Sequence, residues 1–77
     1  MISPKLKSII LQELALEDFP IDASTTADMI PGWDSLSHAR ILAAVEDAFR
    51  IRFKTLEIIR IRNVGELQKL VDFKIQP

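Results

Sequence analysis

Apolar residues recur at spacings of three and four in three separate stretches of this chain, and that period constrains the fold more than anything else. They fall at Leu6, Ile9, Ile10 and Leu14 in the first stretch. In the second they fall at Leu36, Ala39, Leu42, Val45 and Phe49, and in the third at Val64, Leu67, Leu70 and Val71. Side chains so spaced form one stripe along an α-helix, and each stripe needs another element to cover it. The pattern therefore predicts an all-α bundle. Ser3-Pro4 marks the first start, with Ser as N-cap and Pro where its missing N–H costs nothing. This helix is predicted over Pro4–Ala15, because Phe19-Pro20 pushes the backbone out of helical geometry. The second is predicted from Ser35, capped by Asp34, to near Phe49. The last begins at Asn63, with Glu66 three residues on as in a capping box, and ends near Asp72 to Lys74.

A chain of 77 residues has room for one core, so a single domain over residues 1–77 is expected. Such a short chain buries only about 60% of the surface its unfolded form exposes. With no cysteine, neither disulfides nor a thiolate metal site can help, and no metal is expected. Stability must come from the apolar residues, 48% of the sequence. The run Ile9-Ile10-Leu11 is too short for a signal core. Nothing approaches the roughly 20 apolar residues of a membrane span. A soluble, cytoplasmic monomer is the default expectation.

Residues 19–34 form a connection longer than the usual helix–helix link of about 2–8 residues. Pro20, Pro31, Gly32 and the run Asp22-Ala23-Ser24-Thr25-Thr26 are turn and cap formers. Phe19, Ile21, Met29, Ile30 and Trp33 are available to anchor the loop. Further on, Phe49-Arg50-Ile51-Arg52-Phe53 alternates apolar and basic, which taken alone argues for a strand that Ile58–Arg62 would pair. An isolated hairpin is marginal in water, however, and a short helix over Thr55–Arg60 with Thr55 as a cap fits better.

Charge is distributed unevenly. Between Ser8 and Ala39 lie Glu13, Glu17, Asp18, Asp22, Asp28 and Asp34 with no Lys or Arg. Between Arg50 and Arg62 lie Arg50, Arg52, Lys54, Arg60 and Arg62 against the single acid Glu57. An acidic side and a basic side follow, either as differently solvated faces or as partner-recognition surfaces.

Ser35 lies at a predicted helix start, directly after Pro31-Gly32-Trp33-Asp34. Three roles are open to its hydroxyl. It could cap the helix. It could act as a nucleophile with His38, three residues on and on the same helix face, as its base. An activated serine also needs an orienter for the base and oxyanion donors, and the chain offers no evident set, which speaks against an enzyme. The third role is covalent modification by another protein.

Asp34-Ser35-Leu36, the preceding Pro31-Gly32-Trp33, the helix ending in Glu46-Asp47-Ala48-Phe49 and the Ile51-Arg52-Phe53 tail resemble the acyl and peptidyl carrier protein family. The resemblance runs along essentially the whole chain. It implies a four-helix bundle with three longer helices, a short third one and a long loop between the first and second. It also implies that a phosphopantetheinyl transferase moves 4′-phosphopantetheine from coenzyme A onto Ser35, flanked by Asp34 and Leu36. The thiol of that arm would carry acyl intermediates as thioesters between acyl-loading and acyl-transfer enzymes of fatty-acid, lipid, polyketide or related biosynthesis. The working thiol would come from the cofactor, which suits a chain without cysteine.

Carriers of housekeeping fatty-acid synthesis are strongly acidic along their second and third helices. This sequence keeps Asp34, Glu46 and Asp47 but has Arg40, Leu56 and Ile59 where acids are frequent, and adds Arg50, Arg52, Lys54, Arg60 and Arg62. A specialised carrier is therefore expected, with Trp33, His38, Arg40, Glu46, Asp47, Arg50 and Arg52 as partner-recognition candidates. Trp33 has loop anchoring as its alternative, and His38 a plain solvent-facing position. Two other classes compete: a carrier-like interaction bundle without cofactor, and a small helical nucleic-acid-binding module using the Arg50–Arg62 cluster. A pI near 5.7 and the uninterrupted acidic stretch count against nucleic acid.

Overall fold

The computed structural model of the protein describes residues 2–75. Its elements are α1 (Pro4–Glu13), a 3-10 turn (Ala27–Met29), α2 (Ser35–Phe49), α3 (Thr55–Arg60) and α4 (Val64–Ile75). Among the described residues there is no strand, so the hairpin alternative for 49–62 falls away. The all-α order with a short third helix stands as the sequence predicts.

Helix ends follow their local chemistry. Ser3 has extended backbone angles (φ −70°, ψ 148°), and its Oγ accepts the Leu6 N–H at 3.2 Å. α1 stops at Glu13, two residues before the predicted end. Ala15 turns into the left-handed region (φ 56°), and the N–H groups of Ala15 and Leu16 return to the carbonyls of Gln12 and Leu11. That 6→1 and 5→2 pair closes a helix in the Schellman manner, here without the usual glycine. α2 closes similarly: Arg50 is left-handed (φ 56°), and the Ile51 N–H reaches the Glu46 carbonyl at 3.0 Å. Lys5 sits at the same helix end, donating to the Ala48 carbonyl at 3.0 Å with its ammonium 4.6 Å from the Phe49 ring centroid. A cation there meets the negative end of the helix dipole.

Thr55 is not the cap of α3; Lys54 holds that position, and its backbone N–H is taken by Glu57 Oε1 at 2.7 Å. In α4, Asn63 Oδ1 accepts the Glu66 N–H at 2.8 Å, as predicted. The reciprocal bond goes one residue further back, from the Arg62 N–H to Glu66 Oε1.

Leu6, Ile10, Ile41, Leu42, Val45, Ile51, Val64, Leu67 and Val71 form the core. Two predicted stripe members of α2 do not join it: Leu36 is 62% exposed, and Ala39 is also exposed. Ile41 is fully buried instead. Leu36 and Ile41 stand about 140° apart around the helix, so only one can face α1 and α4.

The long loop is tied down by its backbone. Asp22 Oδ1 accepts from the Ser24 N–H and Oγ and from Thr25 Oγ1, while Thr25 Oγ1 accepts the Asp22 N–H. This turn aims two carbonyls at α4, where Val64 N–H donates to Thr25 and Gly65 N–H to Ala23, both at 2.9 Å. Gly65 permits the approach: a Cβ there would lie 2.6 Å from the Ala23 oxygen. Of the proposed anchors, Ile30 is buried, Phe19, Ile21 and Trp33 are half-buried, and Met29 is 60% exposed. Gly65→Ala should therefore lower the unfolding free energy by about 1–3 kcal/mol, the usual cost of overpacking. Urea denaturation followed by far-UV circular dichroism measures this, and an unchanged midpoint would refute the close approach.

Candidate functional site

Ile30-Pro31-Gly32-Trp33 makes the turn that delivers Ser35. The Trp33 N–H returns to the Ile30 carbonyl at 3.3 Å, and Gly32 holds a left-handed φ of 83°. Proline followed by a positive-φ glycine is the preference of a type II turn. Asp34 then leaves the turn extended (φ −107°), and its Oδ1 accepts the Ser37 N–H at 2.8 Å. Asp34 is thus the N-cap of α2, as predicted, and Ser35 is the first helical residue. Its side chain is exposed, and no side-chain hydrogen bond of the described residues involves its hydroxyl. The capping alternative for Ser35 is displaced by its neighbour.

Trp33 and His38 flank the serine. The indole N–H donates to His38 Nδ1 at 3.0 Å, with the ring centroids 5.9 Å apart and the planes tilted by 35°. An Nδ1 that accepts leaves the neutral ring's proton on Nε2. His38 is half-buried rather than plainly solvent-facing, and Trp33 packs against the core as a loop anchor. Ser35 thus lacks the base–orienter chain that would activate it.

A groove beside Ser35 is lined by Ala27, Asp28, Trp33, Asp34 and His38. Ala27 and Asp28 were not anticipated, and nothing in the sequence period marks them. The 3-10 turn brings them to the site, and that turn depends on the loop's bonds to α4. At the mouth, the free N–H groups of the first turn of α2 and its dipole favour a negatively charged group.

The other candidate residues are not brought to this end. Glu46, Asp47, Arg50 and Arg52 gather around a depression at the far end of α2, about 20 Å along the helix axis from Ser35. Arg40 lies between, exposed on α2. Glu46 has a structural role, since its Oε2 accepts the Phe53 N–H at 2.8 Å and fixes the chain entering α3. Among the described residues the ion pairs are Lys7–Asp18 and Lys74–Glu57, so no arginine belongs to one.

No protein-family model and no curated protein matches the chain. Among solved structures it is similar to the solution NMR structure of a holo acyl carrier protein from Geobacter metallireducens. Identity is 34% and the TM-score 0.87, over 92% of this chain and 82% of that one. The chain belongs to the acyl carrier protein family, whose members are carriers rather than enzymes.

Three carboxyls are held below the usual carboxylate range. The Ser37 backbone N–H does this at Asp34, the Ser24 hydroxyl and N–H at Asp22, and the Lys54 N–H with Lys74 at Glu57. Each favours the folded state while ionised, so its contribution is complete above the ordinary carboxylate range and fades as pH falls through the lower folded values. On account of these three groups the urea midpoint should fall as pH drops below about 4. Asp34→Asn keeps a cap acceptor but cannot titrate, and should make that fall shallower. An equally steep fall in the variant would remove Asp34 from the effect.

Proposed function

We propose that the protein is an acyl carrier protein whose Ser35 holds 4′-phosphopantetheine through a phosphodiester. The observation that carries this reading is an exposed, unemployed hydroxyl on the first residue of α2, in a chain akin to a holo acyl carrier protein. In the modification, Ser35 Oγ attacks the pantetheine-bearing phosphorus of coenzyme A. The bond to the adenosine bisphosphate breaks, and the hydroxyl proton passes to a base on the phosphopantetheinyl transferase. Asp34 fixes the helix start through the Ser37 N–H, and the free first-turn N–H groups of α2 would favour the phosphodiester's negative charge. When bound, the cofactor would supply the thiol that carries acyl groups, and this chain's residues would present the arm without taking part in the chemistry.

The protein works in this reading as a cytoplasmic, monomeric, single-domain carrier over residues 1–77, handing cargo between acyl-loading and acyl-transfer enzymes. One apolar core built from α1, α2 and α4 supports the single domain. No described helix is long and apolar enough to cross a membrane. Intact mass decides the central point: incubation with coenzyme A and a broad transferase should add one phosphopantetheinyl group. Ser35→Ala should add none, and an unmodified wild-type chain after several transferases would favour the cofactor-free interaction bundle.

Partner choice follows from the exposed charge. Arg40, Arg50, Arg52, Arg60 and Arg62 are all exposed, and a basic surface mainly alters on-rate and selection among partners. The carrier is accordingly a specialised one. Generic fatty-acid elongation enzymes should process its holo form at least about tenfold more slowly than an acidic housekeeping carrier, a penalty of about 1.4 kcal/mol. Equal rates would refute specialisation.

A further inference from the structure

Behind the groove at Ser35 lies a second, more enclosed cavity of about 40 Å³, lined by Ala27, Trp33, His38, Val64 and Leu67 among others. The groove and the cavity share three lining residues: Ala27, Trp33 and His38. These three border both spaces. Two are pinned to each other by the 3.0 Å bond from the indole N–H to His38 Nδ1. The third lies on the 3-10 turn, which the loop's ties to α4 hold in place.

Size decides what could pass. One water-sized group needs about 10–15 Å³ of such space, so the cavity has room for roughly three carbon-sized groups. From the groove, a longer aliphatic tail on the arm reaches the cavity past Trp33, and displacing that ring leaves a half-buried indole N–H and an imidazole nitrogen without their partners. The cavity's lining is mainly apolar, with Ile61, Val64 and Leu67 set against Arg62 and Asn63, so a polar tail gains little there.

We propose that the Trp33–His38 pair is a cargo-selecting latch that keeps long aliphatic chains out of the bundle, so that this carrier serves short or polar acyl groups. The proposal rests on attachment of the arm at Ser35. Trp33 supplies the barrier, and His38 holds it in place as a positioning residue.

The test loads the full chain with coenzyme A analogues whose thioester is replaced by a stable amide to acetyl or octanoyl. Intact mass first establishes loading, so a failure of arm attachment is seen separately from a failure of the latch. The readouts are the methyl resonances of Val64 and Leu67 and the thermal midpoint. In the wild-type protein the acetyl and octanoyl forms should give the same values for both. In Trp33→Ala, octanoyl should shift both sets of methyls and raise the midpoint above that of the acetyl form. The more conservative His38→Phe, which removes the acceptor but keeps a ring, should give a smaller shift of the same kind and covers the case of an unfolded Trp33 variant. Octanoyl-dependent shifts in the wild-type protein would overturn the proposal, as would their absence from both variants.

Discussion

The two hydrogen bonds from the start of α4 to the carbonyls of Thr25 and Ala23 carry more of this structure than their number suggests. A helix begins with four N–H groups that have no partner within it. A long loop has the converse problem of carbonyls and amides that need partners or water. Here each answers the other. The contact works because Gly65 has no Cβ to strike Ala23, and because Asp22 and Thr25 fold the loop into a turn that aims both carbonyls. Everything downstream inherits that anchorage: the 3-10 turn, buried Ile30, the Pro31-Gly32 reversal and the mount of Ser35. The serine's rigidity thus originates at the far end of the sequence.

This explains what could be read before the structure was known. Local signals sufficed wherever a bond spans a few residues, as with Ser3 and Leu6, Asp34 and Ser37, or Asn63 and Glu66. They also sufficed for the Asp34-Ser35-Leu36 resemblance. They failed where two answers fit one period. α2 carries apolar residues on more than one face, and only packing against α1 and α4 selects Ile41 over Leu36 and Ala39. Ala27 and Asp28 were invisible as groove residues because bonds more than thirty positions away place them. The early end of α1 was hidden for another reason: an alanine, not a glycine, takes the left-handed position.

Residues on either side of Ser35 point in opposite senses, and the division follows from their neighbours. Trp33 precedes the helix and turns inward, where its apolar body meets the core and its N–H finds His38. An indole is suited to such a position because only one of its atoms needs a polar partner. Leu36, on the second helical position, is carried to the outer side and stays 62% exposed. Burial of Leu36 would require rotating α2 and withdrawing Ile41, which is fully enclosed. The core therefore fixes the rotation of α2, and that rotation sets both the outward leucine and the inward tryptophan.

The same reasoning separates the charged residues of α2 by what the fold already asks of them. Glu46 is committed, since its carboxylate holds the Phe53 N–H. Arg50 is committed in its backbone, because the left-handed turn that ends α2 falls on it, yet its side chain is exposed. Arg40, Asp47 and Arg52 are exposed and belong to no ion pair or side-chain hydrogen bond among the described residues. A surface charge with no internal partner contributes little to stability. Its sign is then free to be set by what approaches from outside. On this chain that freedom falls mainly on arginines, while of the acids beside Ser35, Asp34 caps α2 and Asp28 accepts from the Thr26 hydroxyl.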